Sequence, residues 1–450
     1  MSRPSRETLA LMRFGLGPRP GRTVDPRPEA LVAELGAVAA AAPLFDERTE
    51  ARLNEAVVRM RRALRAQDGG AEAERAYDRT VRRLFAITAI HEIRDLRRAV
   101  ETPHGFGERM ARFWENHFSI SVRAPAHRAF IPRFSEEAIR PNLAGRFADL
   151  AEAAITHPAM LMHLDQNRSF GPDSPAGRKR GRGMNENLAR EVLELHTLGV
   201  DGPYDQDDVQ ALAALLTGFT IRDGEFRYLR RMAQPGRVTL LGAARAGADE
   251  AETRAALRTL ARHPATARHL ARKLAAHFVA DAPPEALVAA IEARWRDTDG
   301  DLPAVAEAML AHPAAWGPLG GKVRRPRELI VAALRAAEAR AEEIGGARRF
   351  DRDATLGGLK LMGQEPGRAP GPDGWPEAAE HWITPGGMAA RLQWAGRMGR
   401  RLADRVDPRV YAEAALRDAL SPETARAVAF AAERWEGHAL LLASPDFNRR

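Results

Sequence analysis

The chain has 450 residues, with 68 Lys or Arg against 60 Asp or Glu, so its formal net charge is +8. Its hydrophobic content of 45% is ordinary for a globular protein, and it lacks the apolar run of about 18 residues that a membrane-spanning helix needs. The absence of cysteine excludes disulfides, thiol nucleophiles and cysteine-bound metals.

Two further function classes are disfavoured. The basic clusters, such as RKRGR at 178–182, have no interleaved aromatic residues and belong to no nucleic-acid module, so we expect no nucleic-acid partner. The N-terminus has no apolar signal-peptide segment and no twin-arginine pattern. As written, the protein is expected in the cytoplasm.

The first part of the chain has helical periodicity. A short helix followed by a glycine–proline loop is predicted over 7–20, and helices are predicted over 28–42, 48–67, 71–100 and 108–121. The last of these carries an apolar face formed by Met110, Phe113, Trp114, His117 and Phe118. Asn116 and His117 lie within this aromatic run, where a polar side chain needs a hydrogen-bond partner or serves a site.

Residues 167–183 are rich in glycine and arginine and lack an apolar period. This pattern is typical of a surface loop, which we expect to be mobile and to cross in front of the helix that follows.

The most distinctive stretch is 184–220, which predicts a helix, a glycine stop, a turn and a second helix. Asn185 is a suitable N-cap and Gly199 a suitable C-terminal stop. One side of the first helix is polar, and it consists of Glu186, Asn187, Arg190, Glu191 and Glu194.

This polar side has two interpretations. It could be a solvated face with an internal Glu186–Arg190 pair, or a site on which Glu191 and Glu194 converge from one turn apart. His196 falls on the apolar side of the helix, where the simpler interpretation is that it is a buried histidine of the hydrophobic core.

The second part of the chain begins with the only predicted strands: an Asp-Gly hairpin at 219–228 and a short strand at 237–241. Helices are then predicted over 249–262, 264–280, 284–296, 301–311, 326–344, 354–362, 386–404, 408–419 and 422–443. A proline–glycine loop at 364–374 leads to Trp375 and Trp382, which are either a contact surface or buried anchors.

The predicted fold is therefore all-α, a multi-helix bundle with one small β-hairpin region near 219–241. We expect one large domain over 1–450, with a soft boundary near 247.

Several motifs resemble a known bacterial family over nearly the whole chain. They are FGLGPRPG, FWENHFS, HPAMLMHLDQNRS, NENLAREVLELHTLGV, KVRRPRELIVAALRA, GPDGWPEAAEHWITPGG and SPDFNRR. The chain resembles the domain of unknown function 1800 family, and the central NEN…HTLGV motif is specific to it. Members of the family often carry export signals and often occur beside a sulfatase-like partner. The resemblance therefore implies a sulfatase-like partner and a periplasmic location as the alternative to the cytoplasm.

The family pattern matches seven residues of this sequence, namely Asn116, His117, Asp165, Asn187, Glu191, Glu194 and His196. These matches favour a functional or buried polar site over a solvated face. One stretch departs from the pattern: where family members commonly have His-Asp/Glu-x-Gly, this chain has Ala233-Gln234-Pro235-Gly236. If that pair serves the site, this member would be altered or inactive.

Two functions are consistent with these patterns. The first is an enzyme with a carboxylate-centred site inside a helical bundle, in which Glu191 and Glu194, assisted by Asp165 and His117, act as acid and base. In the same site Glu191, Glu194 and Asp165 could hold a divalent metal. Residues expected to bind or position a ligand are Asn187, Arg190, Asn116, His196, Trp375 and Trp382. No HExxH, GxSxG or phosphate-binding glycine loop names the reaction.

The second function is a non-catalytic scaffold or partner-binding protein, in which the polar helix face is a structural salt-bridge network. For either function we expect Glu191 and Glu194 to be buried and to meet a cation. The candidate cations are Arg133, Arg140, Arg272, Lys273 or a metal ion.

Overall fold

The computed structural model describes residues 4–44 and 70–450. The helix predicted over 48–67 lies outside these residues. Within them, 21 α-helices and two small sheets confirm a mainly helical fold. No helix of the described ranges is long and apolar enough to cross a membrane.

The helices that precede the sheets are, in order, α1 (Arg6–Leu9), α2 (Pro28–Ala39), α3 (Gly70–Glu101), α4 (Gly105–His117), α5 (Ile131–Phe134), α6 (Phe147–Thr156), α7 (Pro158–His163), α8 (Pro175–Arg180), α9 (Asn187–Glu191) and α10 (Gln206–Leu216). A π-helical turn, Val192–His196, continues α9.

The helices that follow the sheets are α11 (Glu250–Ala261), α12 (Pro264–Phe278), α13 (Glu285–Asp297), α14 (Leu302–Ala311), α15 (Pro326–Ala336), α16 (Leu356–Leu361), α17 (Pro385–Leu402), α18 (Pro408–Leu416), α19 (Pro422–Ala429), α20 (Arg434–Ala443) and α21 (Pro445–Asn448). Many start with proline at the first position, where the missing N–H costs nothing.

Two predicted helix bounds are wrong. The helix predicted over 326–344 ends at Ala336, and Glu338 then adopts a positive φ of 48°, which stops the helix. The helix predicted over 422–443 is two helices, because Glu433 is the N-cap of a new one and exchanges capping bonds with Glu436.

The sheets are two separate antiparallel hairpins, β1 (Phe219–Arg222) with β2 (Glu225–Tyr228), and β3 (Arg237–Leu240) with β4 (Ala243–Ala246). The first three strands fall where the sequence predicts strands, but β4 was not predicted. The turn residues explain both hairpins: Asp223-Gly224 and Leu241-Gly242 all have positive φ, as a two-residue type I′ turn requires.

Residues 167–183 are not wholly irregular. Ser174 caps the short helix α8 by accepting a hydrogen bond from the Gly177 N–H at 3.0 Å. The Gly171 N–H donates to the Met232 carbonyl at 2.9 Å, which ties the segment to the region between the two hairpins. The sequence did not predict this helix, and the mobility of the segment stays a prediction.

The buried side chains form two hydrophobic clusters. The first runs from Leu9 to Trp316 and holds residues from both sides of position 247, such as Leu240 and Ala256. The second joins part of α3 to the helices from α15 to the C-terminus. The division of the chain into domains stays a prediction.

Candidate functional site

A cavity of about 200 Å³ lies where the two hydrophobic clusters meet. Ile120 and Phe134 of the first cluster and Val331 and Leu359 of the second line this cavity. A protein cavity of about 150 Å³ already accommodates a benzene molecule. The space therefore suits a small molecule.

The polar wall of the cavity comes mainly from one face each of α3 and α4. The residues from α3 are His91, Glu92 and Asp95, and those from α4 are Glu108, Arg109, Arg112, Glu115 and Asn116. Their spacings of three, four, seven and eight residues place each set on one side of its helix. On α4 this polar face lies beside the aromatic face that carries Phe113 and Trp114. The same helix therefore packs against the core with one face and forms part of the cavity wall with the other.

Asp95 is the centre of the charges on the wall. Its carboxylate accepts hydrogen bonds from Arg112 and Arg327, and a third guanidinium, that of Arg98, lies 3.2 Å away. Burial acts to raise the pKa of Asp95, but Arg112, Arg327 and Arg98 outweigh it and hold that pKa well below its ordinary value. Asp95 is therefore a fixed negative charge.

Two neighbouring acids, Glu92 and Glu115, instead have pKa values above the ordinary value of glutamate. Burial and the adjacent charge of Asp95 raise the pKa of Glu92 to about 7, although 23% of its side chain stays exposed. The nearest guanidinium nitrogen of Arg327 is 4.0 Å from Glu92. Burial, again joined by Asp95, also raises the pKa of Glu115, which accepts a hydrogen bond from Ser135. A carboxyl group that titrates near neutral pH, as Glu92 does, suits acid–base chemistry.

The loop that closes the cavity is held to α4 by Asn116. Asn116 Nδ2 donates to the Trp375 carbonyl at 2.9 Å, and the Trp375 N–H donates back to Asn116 Oδ1 at 2.8 Å. A Cβ atom at Gly374, whose φ is +89°, would lie 2.4 Å from the Asn116 carbonyl oxygen, so this approach requires glycine. Both Asn116 and Trp375, predicted as binding residues, thus line the cavity.

Glu191 and Glu194 lie outside this cavity. Both are half-buried, so the prediction that they are buried is wrong. Glu194 pairs with Arg190 at 3.2 Å, and Arg190 also approaches Glu186 at 3.5 Å. Burial and the neighbouring Glu194 raise the pKa of Glu191. The polar side of this helix is thus a partly solvated face, because the helix presents only its apolar side to the core.

The cations proposed as partners for these two acids have other partners. Arg133 binds Glu137 and Glu225, Arg140 binds Glu108, and Arg272 binds Glu285. Lys273 lies 3.0 Å from His117 Nδ1. The expectation that one of them pairs with Glu191 or Glu194 is therefore wrong, because each already has a carboxylate or an imidazole as its partner.

Asp165 is exposed and adopts a left-handed conformation with φ of 55°. Its ion-pair neighbour is Arg168, at 3.9 Å. The described ranges contain no group of three or more His, Asp or Glu side chains that could hold a metal ion. Glu191, Glu194 and Asp165 are therefore not gathered as the predicted metal site requires.

His117 and His196 are both buried core residues. His117 Nε2 lies 3.2 Å from the His196 carbonyl oxygen, and its Nδ1 faces Lys273. Burial, followed by the positive charge of Lys273, lowers the pKa of His117 well below its ordinary value. A neutral His117 can donate through Nε2 and accept from Lys273 through Nδ1, so both ring nitrogens have partners.

The other predicted binding residues differ in exposure. Asn187 is exposed, and its N–H donates to Asn185 Oδ1 at 2.9 Å. Trp382 is buried, donates to the Pro376 carbonyl at 2.9 Å, and packs 6.1 Å from the ring of Trp375. Trp382 thus braces the loop that carries Trp375.

The stretch that departs from the family pattern also lies apart from the cavity wall. The Gln234 side chain accepts a hydrogen bond from the Asp173 N–H at 3.1 Å and donates to Asp173 Oδ2 at 2.9 Å, and the Gln234 N–H donates to Thr217 Oγ1 at 2.7 Å. Ala233 is buried. These residues join the 167–183 segment to the β-hairpin region.

Sequence reasoning missed Glu92, Asp95, Arg112, Glu115 and Arg327. One signal could have found the α4 residues: Glu108, Arg112 and Glu115 form a charged stripe on a helix whose neighbouring face is aromatic. A helix that is aromatic on one side and charged beside it is buried against something polar. No comparable signal marks Arg327, which reaches Asp95 only through the fold.

Comparison with known proteins identifies a family. The model of the family described as "Protein of unknown function (DUF1800)" matches residues 9–449. No curated protein and no solved structure matches the chain. Because the match covers nearly the whole length and includes every residue of the cavity wall, the chain belongs to the DUF1800 family of proteins of unknown function.

Proposed function

We propose that the cavity between α3 and α4 is a carboxylate-centred acid–base site that binds a small polar molecule. Glu92 and Glu115 take the roles that the sequence assigned to Glu191 and Glu194. Asp95, Arg112 and Arg327 form the fixed charges around them, and Asn116 and Trp375 close the site.

One observation carries this proposal: two carboxyl groups with raised pKa values line the same cavity as a third that is held ionised. Environments that separate the pKa values of neighbouring acids assign one as proton donor and another as a charge. Carboxyl groups poised in this way are typical of functional sites. The burial of wall residues such as Asp95 and Glu108 also strengthens their electrostatic interactions with a ligand.

A ligand screen tests the proposal. A panel of small hydroxy, keto and amino acids is added to the purified protein, and thermal stabilisation is measured. A bound ligand raises the melting temperature by mass action. We expect stabilisation by at least one member, lost in Ala369→Phe, which fills the cavity from the loop side, and in Glu92→Gln.

Matched variants locate the binding. Ala378→Phe lies on the same loop and is half-buried like Ala369, but it does not line the cavity, so it should leave the stabilisation intact. Glu191→Gln should do the same. Stabilisation that survives Ala369→Phe and Glu92→Gln but disappears in Glu191→Gln would overturn the proposal in favour of the half-buried helix face.

A specific observation also favours the scaffold alternative. The arginines around the cavity are paired with protein carboxylates: Arg109 with Glu328 at 2.8 Å, Arg140 with Glu108 at 2.7 Å, and Arg112 with Asp95. Such a network can fix helix register without binding anything. Under this alternative no panel member stabilises the protein, while charge-removing substitutions at the cavity cost stability.

The sulfatase-like partner protein rests on the family resemblance alone. We propose it as an expectation for a binding experiment with a co-expressed sulfatase-like protein. Co-purification that a matched unrelated protein does not show would support it.

A further inference from the structure

His277 lies near the C-terminal end of α12 and contributes to the cavity wall. It is completely buried. Its Nδ1 lies 2.7 Å from Glu377 Oε1. The rings of Phe113 and Phe278 pack against it, with centroids 5.2 Å and 4.8 Å away.

Glu377 is held in place by cations. Arg325 Nη1 lies 3.2 Å from its Oε1, and Lys322 Nζ lies 3.5 Å from its Oε2. Burial acts to raise the pKa of Glu377, but Arg325, His277 and Lys322 keep it well below its ordinary value. Glu377 is therefore ionised and can only accept a hydrogen bond.

The ionised carboxylate decides the tautomer of His277. Burial lowers the pKa of His277 to about 4, against the opposing effect of Glu377, so the ring is neutral near pH 7. A neutral ring that donates to Glu377 carries its proton on Nδ1, which leaves a lone pair on Nε2. Nε2 is buried and has no hydrogen-bond partner within the described residues.

We propose that His277 is a further general base of the cavity, beside the two glutamates, with Glu377 as its positioning residue, and that the ligand carries a hydroxyl group. This inference rests on the proposed function of the cavity and names the group that would take the proton.

The proton balance is simple. The ligand O–H bond breaks, the proton joins His277 Nε2, and the electron pair stays on the ligand oxygen. The imidazolium that forms is stabilised by the Glu377 carboxylate, while Arg109 and Arg325, which also line the cavity, supply positive charge for the oxyanion. A buried base oriented by a carboxylate is a recurring arrangement in acid–base catalysis.

Two measurements on the full-length protein test the assignment without a known substrate. The first is the ¹⁵N spectrum of the histidine rings, in which we expect His277 as the Nδ1–H tautomer. In Glu377→Gln the amide can also donate to Nδ1, so the Nε2–H tautomer should gain population. An Nε2–H tautomer in the unsubstituted protein would overturn the proposal.

The second measurement uses diethyl pyrocarbonate, which is attacked by an unprotonated imidazole nitrogen. Peptide mapping should find His277 modified, while His163 and His438, equally buried but outside the cavity wall, stay unmodified. Ala369→Phe should abolish the modification and Ala378→Phe should not. A His277 that resists the reagent as His163 does would overturn the proposal.

The two proposals fail in different ways. Neither the tautomer nor the modification needs a ligand. Ligand stabilisation lost in Glu92→Gln, together with an unreactive His277, would leave the cavity function standing and remove the base. A reactive His277 in the Nδ1–H form, with no panel member bound, would leave the assignment of His277 as base standing and remove the proposed binding function of the cavity.

Discussion

Asn116 and Trp375 lie 259 positions apart in the chain and exchange two hydrogen bonds, one in each direction. The side-chain amide of Asn116 acts here as a substitute for a strand partner, because it pairs with both backbone groups of a single residue. This pair fixes the loop that closes the cavity against α4.

The first prediction concerns this pair. Asn116→Ala leaves the Trp375 N–H and carbonyl without their partner and should lower the free energy of unfolding by about 1–3 kcal/mol. Chemical denaturation measures the loss. Asn187→Ala is the matched control, because Asn187 is exposed, and it should stay within about 0.5 kcal/mol. Equal effects of the two substitutions would contradict the role of the pair.

The second prediction concerns the pH dependence that Glu92 introduces. Its pKa is about 7 in the folded protein against an ordinary 4.5, so the folded state keeps a proton that the unfolded chain has released between these values. Stability therefore falls as the pH rises through this window. Glu92→Gln should remove the fall and become more stable than the unsubstituted protein above pH 7, by up to about 3 kcal/mol.

Unfolding free energies measured across the window check this expectation. Glu380→Gln is the control, because 82% of that side chain is exposed. A pH profile that Glu92→Gln leaves unchanged would show that Glu92 ionises as freely in the folded protein as in the unfolded chain.

The third prediction separates buried from exposed ion pairs. Asp95→Asn removes a buried negative charge that pairs with three arginines, and it should lower the free energy of unfolding by about 3–5 kcal/mol. Glu194→Gln breaks a partly solvated pair with Arg190 and should cost at most about 1 kcal/mol. Denaturation midpoints compare the two. In the double variant Asp95→Asn/Arg327→Gln, part of the loss should be recovered, since one stranded cation is gone.

The fourth prediction concerns the 167–183 segment. Arg178, Lys179 and Arg180 are exposed on the short helix α8, so trypsin should cut there before other sites. Ser174→Ala removes the helix cap and should speed this cut. Ser421→Ala removes the cap of α19 instead and should leave the cut at 178–180 unchanged. Preferred cleavage elsewhere, with this segment intact, would contradict the prediction.

The sequence by itself determined the helical class and most helix positions, because the 3.6-residue apolar period and the N-terminal caps are local properties. It also determined the first hairpin, since Asp223-Gly224 favours a type I′ turn whatever surrounds it. Local signals were less complete where a helix ended without glycine or proline, as at Ala336. They were also silent for β4, which has no strand-forming pattern apart from its partner.

Only the tertiary structure decided which polar residues come together. The stripe of Glu186, Arg190, Glu191 and Glu194 and the stripe of Glu108, Arg112 and Glu115 look alike as sequence, yet the first faces partly toward solvent and the second lines a cavity. The difference lies in what packs against each helix. Asp95 contacts Arg327 across 232 positions, and His277 contacts Glu377 across 100, and no local propensity encodes contacts at such separations. Burial and neighbouring charges then set the protonation states, since burial acts to raise the pKa of a carboxyl group and nearby arginines lower it.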